Sequence, residues 1–275
     1  MERSVQLATA APVGIPAAGS TPLAIRASAT YEFRMQIRRR SVWLVLGLLG
    51  AFMVYILTDA RADLGDTAAS RAESWAMLLQ VFTPAAFGVL LADRFPRDRK
   101  LRVDELLETS PAPYQARLVG KYLGATTASL VPITIAYLAG LAYLVAKGSD
   151  APGVLSGAVP AFLLITLPGL LFVAAFSVCC PLIMPVPVYQ FLFVGYWFWG
   201  NVLPPQVLPT LSQTWLAPVG YMAGRGFFHA FESTASGLPN ATPADGVVSV
   251  VLLLTLAAAA LVAGSIVLRF ERNRR

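Results

Sequence analysis

Apolar positions come in long blocks separated by short polar ones. Six blocks are apolar for nearly their whole length, at roughly 41–58, 74–92, 118–146, 155–177, 182–203 and 246–268. Each approaches or exceeds the about 20 residues that a helix needs to cross a bilayer core. The pattern therefore predicts six transmembrane helices. Pro84, Pro132 and Pro168 fall inside blocks, which membrane helices tolerate because neighbouring groups satisfy the freed carbonyls. Polar positions gather in the connections. The connection at 93–111, DRFPRDRKLRVDELLETSP, is densely charged, and the one at 204–245 is long and mixed.

Shorter periods appear at the edges of the blocks. In SATYEFRMQIRRRS, residues 28–41, Phe33 and Ile37 share one helical face and Arg34 and Arg38 another. That is the pattern of an amphipathic helix lying in the membrane interface; plain flanking charge would account for the arginines without a helix. In LRVDELLE, Val103 and Leu107 share a face with Leu106 beside them, while Asp104, Glu105 and Glu108 turn elsewhere. Pro111 ends that helix. Ser110 caps a new one with Pro111 at its first position, and this helix runs through PAPYQARLVGKYLGA into the third span. Gly120, Gly124 and Ala128 give it a small-residue packing face. A solvated loop that only sets topology would explain the basic residues here, but not the interleaved acids or the apolar stripe. The run WLAPVGYMAGRGFFHAF, 215–231, is apolar but short, and contains Pro218, three glycines and Arg225. A re-entrant or interfacial segment fits it better than a seventh span. Its Gly220–Gly224 pair suits close backbone approach.

Composition sharpens the class. The chain of 275 residues is 56% hydrophobic and 13% charged, against about 25% charged in a soluble domain, and its mean hydropathy is +0.64. The expected fold is an all-α integral membrane protein. The net charge of +6 points to cytoplasmic loops held by basic residues rather than to nucleic acid. Of the 21 Lys and Arg, all but Arg61, Arg71, Lys147 and Arg225 precede the first span, lie within 93–121, or follow the last span. That places both termini and the 93–117 loop in the cytoplasm and 204–245 outside. The expected location is the inner or plasma membrane, multi-pass. The opening residues, rich in Ala, Pro, Gly, Ser and Thr, lack the apolar region of a signal peptide. They are expected to form a disordered cytoplasmic tail over 1–27, with the membrane domain over 28–275.

Few residues of the chain have the spacing that catalysis or metal binding needs. His229 is the one histidine, which rules out an HExxH site, and no GxSxG elbow presents a serine for a Ser-His-Asp site. Gly120-Lys121 is followed by Tyr122 and lacks the upstream glycine of a phosphate-binding loop, so no ATP-hydrolysing site of that kind is present in the chain. Adjacent Cys179 and Cys180 have neither disulfide-framework nor metal-ligand spacing and read as small apolar residues. No charge lies deep in the six blocks, which disfavours an autonomous ion-coupled pump. Tyr196, Trp197 and Trp199 form either an interfacial aromatic belt or part of a substrate path. No catalytic, cofactor-binding or metal-binding residue is assigned.

After these readings, the chain resembles the membrane subunits of ABC-2 type transporters over about residues 28–270. The resemblance rests on Asp93-Arg94 after the second span, Asp104-Glu105-Leu106-Leu107, Thr109-Ser110-Pro111, and Gly120-Lys121 entering the third span. The family commonly has Gly-Thr before its Glu-Leu pair, where this chain has Arg102-Val103. The resemblance implies six spans, an N-terminal interfacial helix, a cytoplasmic coupling helix between spans two and three, and a re-entrant segment between spans five and six. It implies that Asp104, Glu105, Leu106, Leu107, Glu108, Ser110 and Pro111 contact a separate cytoplasmic ABC ATPase subunit, with Arg97 and Arg99 in the same coupling segment facing either acidic residues of that subunit or lipid headgroups. ATP and Mg would belong to that partner, and this chain would carry no cofactor. A second permease copy or a relative would complete the pathway, with spans one and five as the contact, and substrate would move outward. A different class of reading, a membrane anchor or assembly scaffold, uses the same loop to hold a soluble partner.

Overall fold

The computed structural model describes residues 21–58, 65–100, 113–203, 205–206, 208–228 and 240–273, with backbone alone at 98–100 and 271–273. Among them there is no strand. The helices are α1 Thr21–Ile37, α2 Arg40–Thr58, α3 Ala68–Leu91, α4 Arg94–Lys100 and α5 Tyr114–Ala146. Then follow α6 Ala151–Ala161 and α7 Leu167–Cys179, joined by a π turn at Phe162–Thr166. Next come α8 Val186–Trp197, continued by a π turn at Phe198–Val202, then α9 Tyr221–Phe228 and α10 Pro243–Asn273. Five stretches are long and apolar enough to cross a membrane: Arg40–Thr58, Ala68–Arg97, Tyr114–Ala146, Ala151–Leu182 and Pro243–Phe270. The expected fifth span, 182–203, is shorter than its apolar run. Pro185 is extended and stands as N-cap, so the helix begins at Val186.

Helix α3 is the centre of the bundle, contacting α2, α5, α6, α7, α8 and α9. The Trp75 indole donates to the Tyr137 carbonyl of α5 at 3.0 Å, and its ring lies where a Cβ on Gly140 would be. Tyr137 in turn donates to the Ala158 carbonyl of α6. Further along α3, Trp197 donates to the Val81 carbonyl at 2.8 Å, tying in the end of α8. Trp75, Phe87, Ile133, Ile165, Leu170 and Trp197 are all fully buried in this core. Pro168 has no N–H to give, and the wide turn before it closes through Leu167 N–H to the Phe162 carbonyl.

Helix starts at one end of the bundle are capped by side chains. Thr67 and Ser70 form a reciprocal capping box on α3. Asp150 accepts from Gly153 N–H on α6, and Thr242 and Asp245 exchange bonds on α10. Asp245 also accepts from the Trp215 indole, and Ser249 donates to the Trp215 carbonyl. The chain entering α9 and the chain leaving toward α10 therefore meet at this end. Between them, turns over 208–220 lead to α9, eight residues or about 12 Å long. Gly220 has φ +84° and abuts Ile165, and Gly224 abuts Met77. The expected glycine pair is thus a contact surface, Gly220 against the π turn after α6 and Gly224 against α3.

Two boundaries expected from the sequence move. The N-terminal helix begins at Thr21, not at 28, so residues 21–27 are helical; residues 1–20 lie outside the described ones. Pro113 is extended and is the N-cap of α5, which begins at Tyr114, so the third-span helix does not run unbroken from Pro111.

Candidate functional site at the basic end of the bundle

The other end collects charge in a small volume where α1, the chain after α3, and the start of α5 meet. Helix α1 lies along α5 in step. Ser28 donates to the Arg117 carbonyl. A Cβ on Gly120 would strike Ser28, and one on Gly124 would strike the Ala29 carbonyl and Glu32 Cβ. Four residues on, Gln36 donates to Ser129 at 3.1 Å. The small-residue face of α5 is thus filled by α1, and absence of side chains is what lets the two backbones close.

The seated face of α1 is polar. Glu32 and Gln36 are buried, whereas Phe33 and Ile37, the expected apolar stripe, are only half-buried. The physical reason is Lys121. Its ammonium lies 3.0 Å from Glu32 Oε1, with side chains 7% and 4% exposed respectively. It also lies 4.7 Å from the centroid of the Phe95 ring, a cation–π contact. A lysine this buried needs a carboxylate beside it, and α1 supplies one.

The chain leaving α3 is fastened to the same place. Asp93 accepts a bidentate pair from Arg39, at 3.2 and 2.9 Å. Arg94, whose side chain is 1% exposed, pairs with the same carboxylate at 2.9 Å. Phe95 packs with Leu118, Val178, Cys179 and Leu182. One carboxylate therefore holds the α1–α2 turn and the start of α4, and one lysine holds α1, α4 and α5.

The sequence-nominated residues divide as follows. Arg97 lies half-buried in α4, and Arg99 falls in the same helix. Asp104, Glu105, Leu106, Leu107, Glu108, Ser110 and Pro111 lie outside the described residues. Tyr196, Trp197 and Trp199 are not brought together: Trp197 is a core anchor, Trp199 is exposed, and Tyr196 is half-buried over Gly200. Glu32, Gln36 and Ser129 were not singled out in the sequence, and Lys121 was noted there only within Gly120-Lys121, without its carboxylate partner. A signal was present: Glu32 and Gln36 are four apart, as are Gly120 and Gly124, and Glu32 is the one acid in α1. Among the described residues no cluster of His, Cys, Asp or Glu could hold a metal ion. Both cysteines are free, with Cys179 buried against Gly264 of α10. No family model, curated protein or solved structure matches the chain.

Proposed function

We propose that this chain is the membrane subunit of an ATP-binding cassette exporter of the ABC-2 type, driven by a separate cytoplasmic ATPase. The observation that carries the reading is the fastening of the segment after α3 to two other helices, through Asp93, Phe95 and Lys121. A push on residues 101–112 would enter the bundle through those contacts and through the start of α5, instead of dissipating in a slack loop. In this reading the basic end faces the cytoplasm. The sixth crossing is Val186–Val202, a twelve-residue helix and a five-residue π turn. At about 1.5 Å per residue that is short of the about 30 Å core, a mismatch met by local thinning of the bilayer. Helix α9 does not cross, because the chain on either side of it meets at Trp215 and Asp245.

The test is made on the segment itself. Leu106 and Leu107 would seat in an apolar groove of the ATPase, and Glu105 and Glu108 would meet basic groups at its rim. Burial of each leucine is worth roughly 1.5–3 kcal/mol, and a rim ion pair about 0–1 kcal/mol. Leu106→Asp with Leu107→Asp should therefore abolish ATPase co-purification and transport-linked hydrolysis at unchanged membrane level, while Glu105→Ala leaves both near normal. Normal recruitment and stimulation with the double variant overturns the reading. Recruitment without any transport-linked hydrolysis in the unaltered protein identifies a scaffold instead.

A further inference from the structure

The face of α1 turned away from α5 is unclaimed by the reading above. Leu23, Arg26, Ala27, Thr30, Tyr31 and Arg34 line a shallow groove there of about 460 Å³. Arg26 and Arg34 are two turns apart on one side of the helix, about 12 Å along its axis, with Tyr31 between them. Neither arginine forms an ion pair among the described residues. The acid of α1, Glu32, points the other way, onto Lys121. Thr30 spends its hydroxyl proton on the Arg26 carbonyl, which leaves the Tyr31 hydroxyl as the neutral donor in the groove. Leu23 and Tyr31 are large and 64% and 59% exposed.

The groove sits at the rim of the apolar bundle. The apolar run of α3 ends at Ala92, where Asp93 and Arg94 begin the charge, and Phe95 is level with Lys121 of α5. From Tyr122 to Ala146, α5 is still longer than the about 20 residues a bilayer core requires. Helix α1, docked from Arg117 to Ser129, therefore straddles the level at which apolar surface gives way to charge. A cationic pair at that level, flanked by an exposed tyrosine and leucine, has the chemistry of a lipid-headgroup site: guanidinium for phosphate, aromatic for the interface, and aliphatic surface for the upper acyl chain.

We infer that the outer face of α1 binds the phosphate of an anionic phospholipid between Arg26 and Arg34. The inference is independent of the transporter reading. The full-length protein is reconstituted in nanodiscs of phosphatidylcholine doped with labelled phosphatidylglycerol, and lipid enrichment around the protein is read by energy transfer. Each cation near an anionic headgroup is worth about fivefold, and the pair roughly thirtyfold. Arg26→Gln with Arg34→Gln should lose most of the enrichment. Arg272→Gln with Arg274→Gln removes the same charge from the C-terminal end of the sequence and should keep it. Lys121-dependent docking is untouched in both, so equal thermal stability of the two variants shows that the loss is local. Equal loss of enrichment in both variants, or no loss in the first, overturns the site. Displacement of the lipid by millimolar inorganic phosphate at constant ionic strength also overturns it, since the groove would then bind free phosphate without regard to the lipid.

Discussion

At the scale of single residues, the pair Glu32–Lys121 explains why a helix with few large apolar contacts stays docked. Both side chains are almost fully buried and 3.0 Å apart. Removing one partner of such a pair leaves a charge without compensation and costs about 3–5 kcal/mol, while removing both together is far less costly. Lys121→Met and Glu32→Gln should each lower the thermal unfolding midpoint of the detergent-solubilised protein. The double variant should recover a large part of the loss. Arg34→Gln, on the exposed side of the same helix, should leave the midpoint within error of the parent. A single Lys121→Met variant as stable as the parent would show that α1 is held by its glycine contacts alone.

At the scale of elements, those glycine contacts make a separate demand. Gly124 of α5 leaves no room for a Cβ beside Ala29 and Glu32, whereas a Cβ on Gly47 of α2 meets nothing within 4 Å. Gly124→Leu should push α1 off α5, and Gly47→Leu should not. The readout is a short thiol cross-linker between Gln36→Cys and Ser129→Cys, with Cys179 and Cys180 replaced. The bond should form in the parent and with Gly47→Leu, and fail with Gly124→Leu. What was legible in the sequence follows the same division between local and distant information. The apolar runs placed the long helices to within a few residues at most ends, since bilayer length and hydropathy act locally: 41–58 became Arg40–Thr58, and 118–146 became Tyr114–Ala146. The small-residue face of α5 was legible for the same reason. Its occupant was not, because the docking of Gln36 on Ser129 joins residues far apart in the chain and reverses the usual rule by turning polar groups inward. Thr21-Pro22 carried a start signal for α1, with proline in the first turn, but the small residues around it read as tail. The aromatic trio near 197 defeated the pattern because exposure alternates within it, and periodicity alone does not say which ring anchors the core.

At the scale of the whole molecule, the bundle is covered unevenly. Helix α2 buries Val42, Leu46, Gly50, Met53 and Leu57, and exposes Leu44, Leu48, Phe52 and Tyr55 on the opposite side. Helix α8 exposes Val188, Phe191 and Leu192, and α10 is barer still along Val251, Leu254, Val262 and Ile266. Lipid covers such faces as well as protein does, so burial alone does not separate a dimer contact from a lipid contact. Stoichiometry supplies the missing constraint. In the proposed transporter a single coupling segment would engage one ATPase, and ATPases of this kind would work in pairs, so it would contain two permeases, identical or related. In a contact of identical copies through α2 and α8, residue i of one copy meets j of the other, and only positions at the two-fold axis meet their own symmetry mates. The proposed axis passes the middle of the exposed face of α2, at Leu48. Leu48→Cys in the cysteine-replaced background should then form a permease–permease cross-link in the membrane, and Val262→Cys on α10 should not. For a pairing with a relative, Leu48→Cys together with a cysteine placed at the facing position of the relative gives a cross-link between unlike chains of the purified complex. In either case the mass of the assembled particle should correspond to two permeases and two ATPases. A particle with one permease and two ATPases would exclude the pairing. Cross-linking at Val262→Cys in place of Leu48→Cys would move the contact from α2 to α10, leaving α2 as the face that lipid covers.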